Sequence, residues 1–152
     1  YSGEGFDFGS PVILRSLFSD YHGLYNWHPF LLAGTVGLAL ATLQRPGPPR
    51  SWVLVFALVV WVNASWSMWH FGSSFGGRAY EGAVLYFMVG FAWILERSRQ
   101  YPRAPRLWIA LGLAAAAWNL VFLVLFMRRL VAREAPVSWP ERLAAAARLF
   151  GL

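Results

Sequence analysis

The chain of 152 residues contains no cysteine and no lysine. The first absence excludes disulfides, thiolate catalysis and sulfur-ligated metals. The second makes all 13 basic residues arginine, set against seven acids for a formal charge of +6. Charge is scarce throughout: 13% of residues are charged, 58% are hydrophobic, 18% are aromatic, and the mean hydropathy is +0.47. That balance is too apolar for a water-solvated domain of this length and points to a bilayer. In a water-solvated protein the positive charge would suggest nucleic acid. Here no basic run interleaves with solvent-facing aromatics, and arginines at helix ends meet lipid phosphates instead, so no nucleic-acid partner is expected. The seven acids are Glu4, Asp7, Asp20, Glu81, Glu96, Glu134 and Glu141. No two stand at the spacing of a catalytic pair, and there is no nucleophile motif or phosphate loop, so no catalytic residue is assigned. The sequence opens on Tyr1 without a basic segment and apolar core, so it does not begin with an intact signal peptide. Either a processed start or a numbering that begins within a longer product is expected.

What the chain does have is apolar runs broken by proline, glycine and arginine. They predict an all-α integral membrane protein with about four transmembrane helices and short interfacial helices at both ends. Residues 1–26 form an extramembrane loop and interfacial helix, 27–127 a four-helix membrane domain, and 128–152 a tail with an amphipathic helix. The first span is Phe30 to Leu43, extended back to about Trp27. The second is Trp52 to about Trp69, the third about Ala83 to Leu95, and the fourth Leu107 to Met127. PVILRSLF, residues 11–18, is too short to span and reads as interfacial, with Ser10 as cap, Pro11 at the first helical position and Arg15 reaching headgroups. Gly34 and Gly37 leave a thin face for a neighbouring helix, and Asn63 and Asn119 are polar groups suited to bonding across helices.

The turn at 44–49, with three prolines, and the loop at 97–106, with four arginines, end two of the hairpins. By the positive-inside rule both are cytoplasmic, which puts the termini and residues 66–82 outside. Arg128, Arg129 and Arg133 count against that orientation. In the tail, Ser138-Trp139-Pro140-Glu141 has the spacing of a capping box. Trp139, Leu143, Ala146, Ala147 and Phe150 then share one helical face, with Arg142 and Arg148 off it, as for a helix lying on a membrane or in a partner's groove.

Two polar-aromatic clusters carry what chemistry there is. Residues 19–29, SDYHGLYNWHP, set Asp20, His22 and His28 among Tyr21, Tyr25 and Trp27. The histidines are six apart with Gly23 between them, neither a helical i, i+4 pair nor a tight-turn pair. The cluster therefore reads as interfacial hydrogen bonding, and no metal, pigment or haem ligand is assigned. Residues 61–81 place Trp61, Trp66, Trp69 and Phe71 at headgroup depth. His70, a turn of Gly72, Ser73, Ser74, Gly76 and Gly77, and then Arg78 complete the stretch.

VNASWSMWHFGSSFGGRAYEG at 62–82 and LFSDYHGLYNWHPFLLAGTVGLA at 17–39 resemble two phrases found late in bacterial GT-C type glycosyltransferases, themselves similar to dolichyl-phosphate-mannose mannosyltransferases. Ala79 stands where that family has a second basic residue, and Tyr80 where it has Phe. The resemblance covers about residues 10–100, and the family's catalytic acid lies upstream of the matched region. It implies a lipid-phosphate or partner site at Arg78, His70, Ser73, Gly76 and Gly77, and a polyprenyl-phosphate sugar as partner if the chain belongs to a transferase. Weighed with the missing acids, the expectation is a non-catalytic accessory or scaffold subunit of a bacterial inner-membrane complex, photosynthetic or respiratory. Its partners would be membrane lipids and other integral membrane subunits. The second expectation is the C-terminal membrane part of a polyprenyl-phosphate-sugar-dependent glycosyltransferase.

Overall fold

The structure, a computed structural model, describes residues 3–44 and 48–151. The centre of the proline turn, with Arg45, lies outside the described residues. The described chain is all-helical. Helices α1 (Ile13–Phe18), α2 (Leu24–Trp27), α3 (Phe30–Gln44), α4 (Pro48–Ser65), α5 (Val84–Ser98), α6 (Ala104–Met127) and α7 (Trp139–Phe150) follow in order, with a 3-10 turn at Arg78–Ala83 leading into α5.

Two helical stretches are long and apolar enough to cross a membrane: Arg78–Ser98, of 21 residues, and α6, of 24. The other two expected spans are shorter. Helix α3 has 15 residues, or about 22 Å at 1.5 Å per residue, against a hydrocarbon core of about 30 Å.

Several boundaries move for physical reasons. His28 precedes Pro29, which disfavours helical backbone at His28 and supplies no N–H, so α2 and α3 are separate and the first span does not run back to Trp27. Helix α1 starts at Ile13 rather than Pro11, because the Ser10 hydroxyl is taken by the Asp7 carboxylate instead of capping. Helix α4 stops at Ser65, not Trp69. There the N-terminal arm pairs antiparallel with the helix end: the Asp7 N–H donates to the Ser65 carbonyl at 2.7 Å and the Ser67 N–H to the Gly5 carbonyl at 2.9 Å. Backbone groups that would otherwise be orphaned are met by the arm, and the Ser74 hydroxyl is buried without a partner. Phe8 packs on Trp61 and Phe6 on Trp66 along this seam.

Helices α3 and α5 form the tightest pair. A Cβ on Gly90 would strike the Gly34 carbonyl, and one on Gly37 would strike the Gly90 carbonyl. Contact this close brings backbone against backbone, which only small residues permit. Phe56 and Val60 of α4 pack with Phe87 and Tyr80 on the other side of α5, and the Tyr80 hydroxyl bonds Ser16 of α1. Large apolar side chains remain outside: Leu54, Leu85, Leu113 and Leu120 are each about two-thirds exposed.

Gln44 lines one crevice with Arg97 and Gln100, so the two arginine-bearing loops share one end of the molecule. The N-terminal arm, residues 66–82 and the tail build the other end, a cap whose core joins Trp27, Phe122, Leu125, Phe126, Val131, Val137, Ala145 and Ala146. Arg142, expected off the packed face of α7, is fully buried between Ala145, Ala146 and this core. Leu143 and Phe150 point outward instead. The reason is a set of carbonyls and rings from the loop at 19–29, from α6 and from residues 137–139 that the guanidinium satisfies together.

Candidate functional site

The cap is built around the loop at 19–29. His22 turns the chain with φ +61, and a Cβ on Gly23 would collide with the Ser19 backbone. This tight bend lets Trp27, wholly buried, donate its indole N–H to the Asp20 carbonyl at 3.1 Å. Asp20 Oδ1 accepts from the Asn26 amide at 3.0 Å.

Into this bend α7 sends Arg142. Its Nε donates to the Val137 carbonyl at 2.9 Å, Nη1 to the Asn26 carbonyl at 2.9 Å and Nη2 to the Asp20 carbonyl at 3.5 Å. The guanidinium lies 4.9 Å from the rings of Trp27 and Phe122 and 5.1 Å from that of Trp139. The Asp20 carboxylate is 4.0 Å away and half-exposed, a minor partner. Burial pushes the guanidinium down to about 10, with Asp20 and Glu141 opposing, which leaves it charged at neutral pH. The start of α7 is fixed by Glu141, whose carboxylate accepts the Ser138 N–H and hydroxyl, each at 2.7 Å. These bonds hold Glu141 below the usual carboxylate range.

The three polar residues of the loop use separate partners. Asp20 serves Asn26 and Arg142. His22 donates from Nε2 to the Arg133 carbonyl at 2.9 Å, which fixes its tautomer and leaves Nδ1 bare, buried and unpartnered. Burial lowers the His22 pKa, the Arg133 bond opposes this, and the nearby His70 and Arg142 lower it further. His28 donates from Nδ1 to the Asn119 side-chain oxygen at 2.8 Å, and the Asn119 amide in turn bonds the Ala115 carbonyl at 3.1 Å. Among the described residues no three His, Asp or Glu side chains converge as ligands for a metal. Of the remaining packing positions, Asn63 donates to the Ala79 carbonyl at 3.1 Å, tying α4 to the 3-10 turn.

The residues singled out around the glycine turn divide between two places. Gly76 has φ +57 and lies on the His28 ring, where a Cβ would meet Nε2. Gly77, with an ordinary φ of −73, lies against Leu24, whose Cα would be 2.9 Å from a Cβ. Beside them a groove of about 260 Å³ is lined by His28, Phe75, Gly77, Arg78, Glu81 and Phe87, among others. Arg78 stands at its rim, exposed, with Glu81 4.0 Å away. Ser73 instead lines a second cleft of about 490 Å³ with Arg129, Arg133 and Glu134. His70 stacks on Tyr21 at 4.3 Å and accepts the Gly72 N–H at Nδ1. A phosphate held by Arg78 is therefore not also held by Ser73 or His70.

The central residues that the sequence reading missed are Arg142 and Arg133. Arg133 lies 5.0 Å from the Phe126 ring and donates to the Phe126 and Met127 carbonyls at 3.1 and 3.0 Å, closing the end of α6. The one signal for Arg142 is its i, i+3, i+4 and i+7 relation to Ala145, Ala146 and Leu149. Comparison of the sequence with protein-family models and curated proteins, and of the fold with solved structures, returns no match.

Proposed function

We propose that this chain is a non-catalytic, multi-pass scaffold subunit of a larger membrane complex, held in the inner membrane of a bacterium. The observation that carries this reading is the fate of the polar groups in the cap. Arg142, Arg133, His22 and His28 are each engaged with protein carbonyls or an amide. Of the seven carboxylates, Asp7, Asp20, Glu96 and Glu141 are paired with neighbouring side chains. A site built to transform a substrate sets an acid and a base together in one cavity; here Arg142, Arg133, His22 and His28 lock chain segments together, and the acid that faces a cleft, Glu134, has only Ser73, Arg129 and Arg133 as polar neighbours there. Meanwhile the helices present leucine-rich faces that suit lipid and neighbouring subunits. All four apolar helices lie in the bilayer in this reading.

The second reading, the late membrane part of a polyprenyl-phosphate-sugar-dependent glycosyltransferase, draws on one observation. Arg78 is exposed at the rim of an apolar groove, and its contact with Glu81 is long, so its guanidinium is available to a lipid-linked phosphate. Purification of the native polypeptide with its partners, followed by intact-mass measurement and by Arg78→Ala, separates the two. A scaffold has a mass near 17.1 kDa with stoichiometric membrane partners, and Arg78→Ala only loosens assembly. A several-fold larger mass, with sugar transfer abolished by Arg78→Ala, refutes the scaffold.

A further inference from the structure

At the end of the molecule opposite the cap, α3 and α5 run past their glycine contact at Gly37 and Gly90 and meet larger side chains. A crevice of about 530 Å³ opens between them, lined by Ala41, Gln44, Val89, Trp93, Glu96, Arg97 and Gln100. Its volume falls in the range of ligand clefts, about 300–1,000 Å³. The lining is graded. Along α3 and α5 the apolar Ala41 and Val89 come first, Trp93 follows one helical turn on, and Gln44, Glu96, Arg97 and Gln100 stand at or just past the helix ends.

The charges on this rim are not equivalent. Glu96 is occupied by Arg99, Oε2 to Nη1 at 3.1 Å. Arg97 makes no ion pair or side-chain hydrogen bond among the described residues. The C-terminal ends of α3 and α5 present carbonyls here, and their dipoles work against an anion. Formal charge outweighs that, because Arg50, Arg97, Arg99, Arg103 and Arg106 stand at this end against the single acid Glu96.

We infer that this crevice is a binding site for an anionic phospholipid. One acyl chain lies on Ala41 and Val89, the glycerol region is level with Trp93, and the phosphodiester meets the fork of Arg97 with the amides of Gln44 and Gln100. Trp at headgroup depth and arginine beyond it repeat the order of groups along such a lipid. The inference rests on the membrane reading above, and it is independent of Arg78 and of any partner subunit.

The test is native mass spectrometry of the full chain in mild detergent, offered phosphatidylglycerol and a diacylglycerol of identical chains, which lacks the phosphodiester. Phosphatidylglycerol is expected to be retained about tenfold better, the worth of one charge-assisted bond of about 1.5 kcal/mol. Arg97→Gln brings the two lipids to parity. Val89→Phe, which fills the apolar end without touching charge, lowers retention of both. Arg103→Gln, outside the crevice, changes neither. Equal losses for Arg97→Gln and Arg103→Gln mean diffuse attraction and overturn the site. Equal retention of the two lipids by the unaltered chain overturns it as well, as does competition by millimolar glycerol 3-phosphate. A chain that stays monodisperse without detergent and retains neither lipid refutes the membrane reading itself, an outcome distinct from these.

Discussion

Arg142→Met removes the guanidinium at the centre of the cap while keeping much of the side chain's length and apolar volume. Of the three carbonyls it serves, that of Asp20 keeps two other donors, the Trp27 indole and the Val137 N–H. The carbonyls of Asn26 and Val137 have no other donor among the described residues, and each buried orphan costs about 1–3 kcal/mol. Desolvated cation–π contact with the three rings is worth roughly 2 kcal/mol or more, of which a thioether recovers about 0.3–1.5 kcal/mol. Against this, taking a charge out of the interior returns the desolvation cost that already depresses the Arg142 pKa. The balance is about 3–5 kcal/mol, at the upper end of what single substitutions do.

That loss falls on the docking of α7, since Arg142 is the polar link from this helix to the loop at 19–29. Hydrogen exchange of the full chain in micelles reads it directly. The amides of α7 should lose protection about a hundredfold or more, at tenfold per 1.4 kcal/mol, while those of α3 and α5 change little. Arg142→Lys is the control for charge alone. A single ammonium cannot serve three carbonyls on two segments and lie against three rings, so it should lose most of the protection as well. If α7 in Arg142→Met stays within threefold of the unaltered protein, the guanidinium is not what holds the tail and the description of the cap is wrong.

Two further outcomes follow from the same geometry. His22 binds its proton less readily in the fold than in the unfolded chain, where it titrates near 6.5. Its contribution is complete above about that pH and is lost as pH falls below it, so the midpoint of thermal unfolding should drop between pH 7.5 and pH 5. His22→Asn, which tolerates φ +61, should shrink that difference; an unchanged difference removes His22 from the account. Gly90→Ala drives a methyl into the Gly34 carbonyl and should cost about 1–3 kcal/mol or more by thermal unfolding in detergent. Gly82→Ala meets open space and should stay within about 0.5 kcal/mol. Equal effects at the two sites would mean that the close approach of α3 and α5 is not real.

How far the sequence could be read depended on how far apart the cooperating residues lie. Ser138 and Glu141 are three apart, and their reciprocal bonding at the start of α7 is a local signal. Gly34 and Gly37 announce a thin face but not what meets it, because Gly90 sits in another helix with no periodic mark of its own. The end of α4 was illegible because the arm that stops it comes from about sixty residues earlier, at Gly5 and Asp7. Arg142 was illegible for the same reason: its cage needs Trp27 and Phe122, and on a helical wheel an arginine without them reads as solvent-facing. The resemblance grouped His70 and Ser73 with Arg78 because they are neighbours in the chain. The backbone reversal at Phe71, Gly72 and Gly76, all with positive φ, turns them toward different neighbours: His70 onto Tyr21, Ser73 into the cleft with Arg129, and Arg78 to the groove beside His28.

The absence of cysteine makes the orientation of the chain measurable with single introduced thiols. Gln100 lies in the loop between α5 and α6, and Ala135 lies in the tail after α6; both are exposed. The 24 residues of α6 separate them by about 36 Å, more than a hydrocarbon core of about 30 Å. The two positions therefore sit on opposite faces if α6 spans, and on one face if it lies in the plane of the membrane. The positive-inside count alone decides poorly, since Arg15, Arg78, Arg128, Arg129, Arg133, Arg142 and Arg148 stand at the cap end against Arg50, Arg97, Arg99, Arg103 and Arg106 among the described residues of the other. At the cap end, however, Arg133 and Arg142 have their charge satisfied by protein carbonyls, whereas Arg97, Arg103 and Arg106, at the end of α5, before α6 and in its first turn, have no such bonds among the described residues. Lipid and cytoplasmic charge act on the second kind. With Ala135→Cys in intact cells, a membrane-impermeant maleimide should react at once. With Gln100→Cys it should react only after the membrane is opened. The reverse pattern would place the cap in the cytoplasm and invert the proposed orientation. Labelling of both in intact cells would mean that α6 does not cross.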